Sequence, residues 1–209
     1  MDCQPLLPWA ICKQICWVEI ETKEAFMVAV SPKADVSWVQ EYRKRYQEWF
    51  QGAKPLIEAH QGAGAFKTYP FVSFSQTPWT PLRMPLSEVC LSVVSTAGLF
   101  RKGIDAPFAD TAEGDPTVIQ LPSNINIKSL DTAHTHIPQE PIRADVNIVL
   151  PFDHLWGLVK EKKIGSLAAR FFSFVGYQTR ADEVALEMAP NIAAAMVEDK
   201  VTLAMIVPV

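Results

Sequence analysis

The chain has 209 residues, 49% of them hydrophobic and 20% charged, and a formal net charge of −4. This length and composition are typical of one globular domain with a hydrophobic core, with room for a smaller appendage. The acidic balance, and the lack of any run of about 18 apolar residues, exclude nucleic acid and a membrane from the expected partners.

The start of the chain gives no sign of a secretion signal, because Asp2 is acidic and no basic stretch precedes an apolar one. Four cysteines are present, Cys3, Cys12, Cys16 and Cys90. They form neither a CxxC pair nor the spacing of a metal knuckle. We therefore expect a cytoplasmic protein with free thiols.

Residues 1–31 allow two interpretations. The apolar segments 15–20 and 25–30 flank four polar residues, which is typical of a β-hairpin. Alternatively, Cys12 and Cys16 lie four residues apart and would share one face of a helix. Two small, partly buried side chains explain these cysteines better than a redox pair does.

An amphipathic helix is predicted after Asp35, which stands at the N-cap position. Its apolar and aromatic face recurs at helical spacing: Val36, Val39, Tyr42, Tyr46 and Trp49. Gly52 and Pro55 predict an interruption of this helix, with one last turn over residues 56–60. Residues 1–60 are thus predicted to be an N-terminal region built on one helix.

Residues 61–86 are predicted to be an extended connector. Their prolines exclude a helix, and their aromatic side chains argue against a free linker because such side chains bury a large area when they dock. These residues are Pro70, Pro78, Pro81 and Pro85, and Phe66, Tyr69, Phe71, Phe74 and Trp79. We expect an arm that lies over the domain or over a partner subunit.

The segment from residue 87 onward begins the predicted domain. Residues 89–94 form an apolar, β-branched strand of the kind that is buried on both faces. Ser95, Thr96 and Gly98 follow in a small-residue turn. In an open α/β sheet, ligands bind beyond the carboxyl ends of the strands, so the binding mouth is expected near residues 95–102. No glycine fingerprint for a dinucleotide or a phosphate accompanies this turn.

The middle of the domain is predicted to contain an acidic loop at the mouth (105–115), a short strand (117–121) and a helical turn (124–130). His134 and His136 follow in a loop that Pro138 and Pro141 make irregular. Two histidines two residues apart can ligate a metal, but no third ligand stands at a suitable spacing. Substrate contact or structural hydrogen bonding is the favoured interpretation, with no metal site.

The last third alternates helices and strands. A helix is predicted from Pro151 to Gly165, a strand over 167–175 ending at Gly176, and a long helix over 180–199 bent at Pro190. An almost entirely apolar strand over 201–209 closes the chain. The fold class is α/β, with an open, mainly parallel sheet of the flavodoxin or Rossmann kind, flanking helices, and residues 87–209 as the domain.

Seven segments occur in a family order and at a family spacing: PWTPLRMPLSE (78–88), LSVVSTAGLFRKG (91–103), GDPTVIQLP (114–122), AHTH (133–136), ADVNIVLPFDHLWGLVKEKKIGSLA (144–168), SFVGY (173–177) and VTLAMIVPV (201–209). Through them, residues 77–209 resemble the selenoprotein B family of glycine, sarcosine, betaine and D-proline reductases, especially its short D-proline-reductase-like members. The residues after the second histidine, 137–140, depart from the aromatic and acidic pair that the family often has there.

The resemblance implies an oxidoreductase subunit that reductively cleaves a C–N bond in an amino-acid-type substrate. It implies a selenocysteine or cysteine nucleophile with a resolving cysteine three residues later, a pyruvoyl group on a partner subunit, and electrons from dithiols or a small redox protein. An oligomer is expected. The substrate-binding residues that it implies are Ser95, Thr96, Gly98, His134, His136, Gly176 and Tyr177.

The family's nucleophile follows directly on the strand that matches residues 201–209. The sequence is therefore expected to be cut off one residue before it, as happens where a UGA codon for selenocysteine is read as a stop, and to be inactive as given. The alternative interpretation is a non-catalytic α/β binding or scaffold paralogue that lacks the nucleophile.

Overall fold

A computed structural model describes residues 36–73 and 80–209, together with the backbone of residues 16–19. Residues 25–30, Cys12 and Asp35 lie outside the described residues, and so do Phe74 and Trp79 of the predicted arm. Cys16–Glu19 forms a strand, which agrees with the hairpin interpretation of that segment and not with a helix that carries Cys16.

Eight strands are described, numbered in chain order: β1 (Cys16–Glu19), β2 (Cys90–Ser95), β3 (Leu99–Arg101), β4 (Ile119–Pro122), β5 (Leu130–Thr132), β6 (Ser166–Leu167), β7 (Arg170–Ser173) and β8 (Leu203–Val207). The main sheet has the spatial order β1-β8-β2-β7-β4, with β6 paired to β2. Strands β3 and β5 form a separate two-stranded sheet.

The centre of the main sheet is parallel, which confirms the predicted fold class. Strand β2 pairs in parallel with β8, β7 and β6, while the outer strands β1 and β4 are antiparallel to their neighbours. Five of the six residues of β2 are buried. A strand covered on both faces needs this continuous apolar pattern, so its sequence identified it as central.

The described helices are α1 (Trp38–Glu58), α2 (Gly62–Ala65), α3 (Glu140–Ala144), α4 (Phe152–Lys160), α5 (Ala181–Glu183) and α6 (Ala189–Glu198). Short 3-10 turns cover Phe66–Thr68, Leu86–Glu88, Ile127–Ser129 and Val146–Ile148. None of the helices described is both long and apolar enough to cross a membrane.

The two faces of the sheet carry separate cores. On one face, Leu91, Leu121 and Phe171 pack with Leu155 of α4. On the other face, Phe172 packs with Ile192 of α6 in a second cluster. Neighbouring residues of a strand point to opposite faces, so Phe171 and Phe172 each anchor a different helix. The helices therefore flank the sheet on both sides, as in other open α/β folds.

Helix α1 carries a third cluster made of its aromatic stripe. Tyr42, Tyr46 and Trp49 are buried and pack with Phe66 and Tyr69 of the following segment. The sequence spacing identified this face. The prediction left open whether the arm lies over the domain or over a partner subunit; Phe66 and Tyr69 pack within the chain, against α1.

Two predictions about this region were wrong. Gly52 and Pro55 do not interrupt the helix, because α1 continues to Glu58. A proline inside a helix costs about 3 kcal/mol, but Pro55 lies in the last turn, and full burial of one large apolar side chain contributes about 1.5–3 kcal/mol. The connector is also not free of helix, since α2 and the turn Phe66–Thr68 form before its first proline, Pro70.

Other local predictions need correction. Gly165 does not end α4, which stops at Lys160; Gly165 instead packs against backbone, and an added Cβ would lie 2.7 Å from the Val89 carbonyl oxygen. The loop containing Pro138 and Pro141 includes the short helix α3. The strand predicted over 167–175 is divided into β6 and β7. The small β3–β5 sheet was not predicted, because three-residue strands carry too little pattern.

The predicted long helix is present as one continuous helical segment over residues 181–198. Helix α5 leads into a π-helical segment, Val184–Met188, and then into α6. Pro190 stands near the start of α6 and lacks the N–H that would bond to the carbonyl four residues earlier, so the wider turn just before it accommodates the proline.

Candidate functional site

The carboxyl ends of β2, β7 and β8 meet at one edge of the sheet. Ser95 is in register with Ser173 of β7 and with Val207 of β8. The chain leaves each of these three strands at that edge, which is where ligands bind in open α/β sheets. We call this edge the mouth and define it by residues 95–98, 132–136 and 173–177.

The turn after β2 requires a glycine. Gly98 has φ +63, a conformation that costs a residue with a side chain about 1–2 kcal/mol. An added Cβ would also lie 2.9 Å from Val175 Cγ2 and 3.3 Å from the His134 backbone nitrogen. Ser95 is fully buried, and its hydroxyl accepts a hydrogen bond from the Ala97 N–H. Ser95 and Gly98 therefore shape the mouth from beneath.

Thr96 joins the three strand ends. Its N–H donates to the Val207 carbonyl and its own carbonyl accepts from the Gly176 N–H. Its Oγ1 accepts a hydrogen bond of 2.8 Å from the Val209 N–H. Gly176 is close to it, since an added Cβ there would lie 2.9 Å from Thr96 Oγ1. The backbone after β8 is thus fixed beside Thr96 and Gly176.

The small sheet brings the histidines to this edge. Thr132, the last residue of β5, donates from its hydroxyl to the Ala97 carbonyl at 2.6 Å. The next N–H, that of Ala133, donates to the Gly98 carbonyl. Two hydrogen bonds therefore hold the end of β5 against the turn after β2, and His134 follows immediately.

His134 is a buried, neutral imidazole, with 3% of its surface exposed. Burial, with the neighbouring His136, lowers its pKa to about 4, although Asp110 acts in the opposite direction. Its Nδ1 accepts a hydrogen bond of 3.3 Å from the His136 N–H. An accepting Nδ1 leaves the ring proton on Nε2. His134 therefore supports the loop and offers an Nε2–H donor.

His136 is partly exposed and stacks on Tyr177, with ring centroids 4.0 Å apart. Its Nε2 lies 3.8 Å from Asp110 Oδ1. Burial lowers its pKa below the usual range, against the pull of Asp110, and His60 adds to the lowering. His136 is the partly exposed titratable ring of the mouth.

Tyr177 forms the neighbouring wall. Its hydroxyl donates to the Ala112 carbonyl at 3.1 Å, which ties the mouth to the acidic loop predicted there. Burial, and then Asp110, raises its pKa to about 12, so the phenol stays protonated at neutral pH. Tyr177 can therefore present an uncharged aromatic surface, and it holds the acidic loop and the His136 ring in place.

Thus the structure brings the predicted residues to one edge of the sheet in two layers. Thr96, His136, Gly176 and Tyr177 are at least partly accessible, while Ser95, Gly98 and His134 are buried. The rings of the two histidines lie 6.0 Å apart and nearly perpendicular to each other. Within the described ranges, no three His, Cys, Asp or Glu side chains gather in a way that could hold a metal ion.

Sequence reasoning missed four contributors. Asp110 was counted in the acidic loop but not singled out, and Thr132 has no motif that marks its hydroxyl. Ser173 Oγ accepts a hydrogen bond from the Leu99 N–H. Ser173 belongs to the SFVGY segment, one of the seven family segments, and that membership could have identified it. Phe66 contacts Tyr177 edge-on at 5.8 Å, and nothing in its spacing indicated this contact.

A family model described as glycine/sarcosine/betaine reductase selenoprotein B matches residues 59–208. The D-proline reductase subunit gamma of Acetoanaerobium sticklandii is 26% identical over 123 residues, which cover 59% of this chain and 50% of that protein. The chain thus spans about half the length of this curated relative. No solved structure matches it.

Proposed function

Because the chain belongs to the glycine/sarcosine/betaine reductase selenoprotein B family, a family of reductase-type enzyme subunits, we propose that it is the sheet-bearing part of a subunit that reductively cleaves a C–N bond in an amino-acid-type substrate. The assembly with a pyruvoyl-bearing partner subunit and with a dithiol or small redox protein is part of this proposal. So is a selenocysteine or cysteine nucleophile directly after Val209.

One observation carries the proposal. The Val209 N–H donates to Thr96 Oγ1 at the carboxyl ends of three parallel strands, where Gly176 leaves room because it has no side chain. In this proposal, a residue that followed Val209 would enter the mouth beside Thr96 and Gly176. A loop that leaves a parallel strand at such an edge favours a reactive chalcogenolate if a helix N-terminus follows.

The chain's own residues would then bind and orient the substrate. Tyr177 and His136 supply a flat aromatic wall, and the buried Ser95, Gly98 and neutral His134 support the turn below. In the balanced reaction the C–N bond breaks, the carbon and the nitrogen each gain a hydrogen, and a dithiol is oxidised to a disulfide. The nucleophile and the partner's pyruvoyl group would supply the bond-breaking chemistry.

The test uses the intact gene product, expressed so that a UGA codon after Val209 is read as selenocysteine, together with its pyruvoyl partner subunit. Substrate-dependent oxidation of dithiothreitol is measured with glycine, sarcosine, betaine and D-proline. Turnover of one of them, lost after alkylation of the selenol or thiol, is the expected result. A product that assembles but contains no alkylatable group in the mouth and oxidises no dithiol would identify the non-catalytic scaffold instead.

A matched pair of threonine variants tests the position of the mouth. Thr96→Val removes the hydroxyl that accepts from Val209. Thr202→Val removes a hydroxyl that accepts from the Cys90 N–H at 2.9 Å, at the opposite end of the same strand pair. We expect similar losses of stability but a loss of about tenfold or more in kcat/KM for Thr96→Val alone. Equal effects on turnover would contradict the proposed mouth.

A further inference from the structure

The N-terminal unit (residues 36–72) reaches the mouth through the end of α1. After Glu58 the chain reverses, and His60 takes the left-handed conformation with φ 57. Its N–H donates to the Ile57 carbonyl, and the Gln61 N–H donates to the Leu56 carbonyl. This tight ending is a Schellman motif. It directs the chain back along α1 and brings Phe66 to the domain.

Phe66 connects the aromatic cluster of α1 with the mouth. Its ring lies 5.5 Å from that of Trp49 and 5.8 Å from that of Tyr69, both within the N-terminal unit. On its other side it meets Tyr177 edge-on, with an interplanar angle of 83°. Tyr177 in turn stacks on His136 with an interplanar angle of 21°. Four aromatic rings thus run in contact from Trp49 to His136.

Polar contacts hold the N-terminal unit in place just after Tyr177. The hydroxyls of Tyr42 and Tyr69 both donate to the Thr179 carbonyl, at 2.6 and 2.8 Å. The Tyr46 hydroxyl lies 2.9 Å from Thr179 Oγ1, and Thr179 itself is buried. Three tyrosines of one unit therefore converge on a single residue of the other, so Phe66 has little freedom to move relative to Tyr177.

We infer that Phe66 is a positioning residue of the mouth, which fixes the plane of Tyr177 and through it the place of His136, so that the N-terminal unit forms part of the substrate-binding wall. This inference rests on the proposed function for its meaning but not for its test. The family match, which begins at residue 59, includes the segment that carries Phe66 and excludes α1, which ends at Glu58.

The test follows the His136 ring by NMR in protein labelled at histidine Cε1. The sequence has four histidines, and His136→Gln assigns the signal. Groups that face His136 are Asp110 from the acidic loop, His60 from the end of α1, His134 from its own loop and the Tyr177 ring. Phe66→Leu should let Tyr177 tilt, reduce the ring-current shift on His136, and raise the His136 pKa toward its ordinary range as its burial decreases.

Phe50→Leu is the matched control. Phe50 lies on the same unit, stacks on Tyr46 at 5.5 Å and lies 6.0 Å from Trp49. The Phe50→Leu variant should lose about as much thermal stability as Phe66→Leu does, but its His136 NMR signal should stay unchanged. Phe66→Tyr keeps the ring edge and should restore the wild-type titration. If Phe66→Leu leaves the His136 shift and titration unchanged, or if Phe50→Leu alters them equally, Phe66 has no positioning role.

The NMR result does not depend on turnover, so it stands even if no reductase activity is found. In an active assembly, Phe66→Leu should lower kcat/KM several-fold while Phe50→Leu leaves it unchanged. An active assembly in which both variants turn over like the wild type would also overturn the inference.

Discussion

At the scale of single residues, the mouth contains positions where one added methyl group or one added proton should change the stability of the fold. Gly98 combines a left-handed backbone with close contacts to Val175 and His134. His134 is buried as a neutral ring whose Nδ1 is already used. Gly98 lies in the turn between β2 and β3, and His134 lies against it in the loop after β5. The stability of the sheet edge and the geometry of the mouth therefore depend on the same few residues.

Replacing Gly98 with alanine should lower the free energy of unfolding by about 2–4 kcal/mol, since backbone strain and overpacking add. Gly103→Ala is the control, because Gly103 also has a positive φ of 75 but an added Cβ meets nothing within 4 Å. That control should cost about 1 kcal/mol, the strain alone. Urea unfolding of both variants measures the difference. Equal losses of unfolding free energy would show that Val175 and His134 can move aside at little cost.

Protonation of His134 should destabilise the fold. Its folded pKa of about 4 lies below the ordinary value of 6.5, so the unfolded state binds more protons between these values. The contribution of the neutral His134 ring to the free energy of unfolding is therefore fully present above pH 6.5 and is lost as the pH falls toward 4. It amounts to about 3 kcal/mol.

The measurement is urea unfolding of the wild type and of His134→Gln at several pH values between 7 and 4. The variant should be less stable at pH 7 but lose less stability on acidification, because glutamine does not titrate. Carboxylates that titrate in the same range contribute to both curves and cancel in the comparison. Parallel curves for the two proteins would contradict the assignment of a buried neutral His134.

At the scale of elements, the three longer helices end in the same way. Helices α1, α4 and α6 each close with a Schellman motif whose left-handed residue is not glycine: His60, Lys162 and Lys200. In each, two backbone N–H groups satisfy carbonyls of the last turn. These endings set where the chain leaves each helix, and the one after α6 delivers it directly into β8.

Lys200→Gly should therefore stabilise the protein. Lys200 has φ 57 and is exposed, so the substitution removes strain of about 1 kcal/mol with little loss of contact. Lys160→Gly, inside the last turn of α4, is the opposite control and should destabilise by a similar amount. Thermal unfolding should show a higher Tm for the first and a lower Tm for the second; a lower Tm for both would refute the strain argument.

At the scale of the whole molecule, a buried carboxylate joins the N-terminal unit to the α/β body, in addition to the tyrosine contacts at Thr179. Asp182 at the start of α5 is fully buried and accepts from Arg43 Nε of α1 at 2.7 Å and from Arg180. Burial opposes its ionisation, but the hydrogen bonds from Arg180 and Arg43 outweigh it and hold its pKa at about 2. The unit that carries Phe66 is thus positioned through α5.

Asp182→Asn should cost about 3–5 kcal/mol, because it removes the buried partner of two arginines. Glu183→Gln removes a more exposed partner, 3.0 Å from Arg180, and should cost less than about 1 kcal/mol. Hydrogen exchange of α1 amides should speed up selectively in Asp182→Asn, at pH 7 and still at pH 4. Equal exchange in both variants would show that the tyrosine contacts suffice for docking.

The sequence alone was sufficient for the features that repeat. The apolar run of β2, the 3.6-residue stripes of α1 and α6, and the seven family segments predicted the parallel sheet, its flanking helices and the family. The edge of the sheet that carries Thr96 and Gly98 followed from the order of strand and turn. These properties are local, and a period or a motif within a short stretch of chain determines them.

Tertiary structure alone decided the composition of the mouth. Thr132 meets Ala97, His136 stacks on Tyr177, and Phe66 reaches Tyr177 across more than 100 residues of chain. These are contacts between segments with no shared period. Two further positions depend on tertiary contacts. Pro55 is tolerated because α1 buries its aromatic stripe, and Gly165 is required because the backbone at Val89 leaves no room for a Cβ. Such contacts depend on where folded elements come to lie, because packing energy is summed over neighbours in space and not along the sequence.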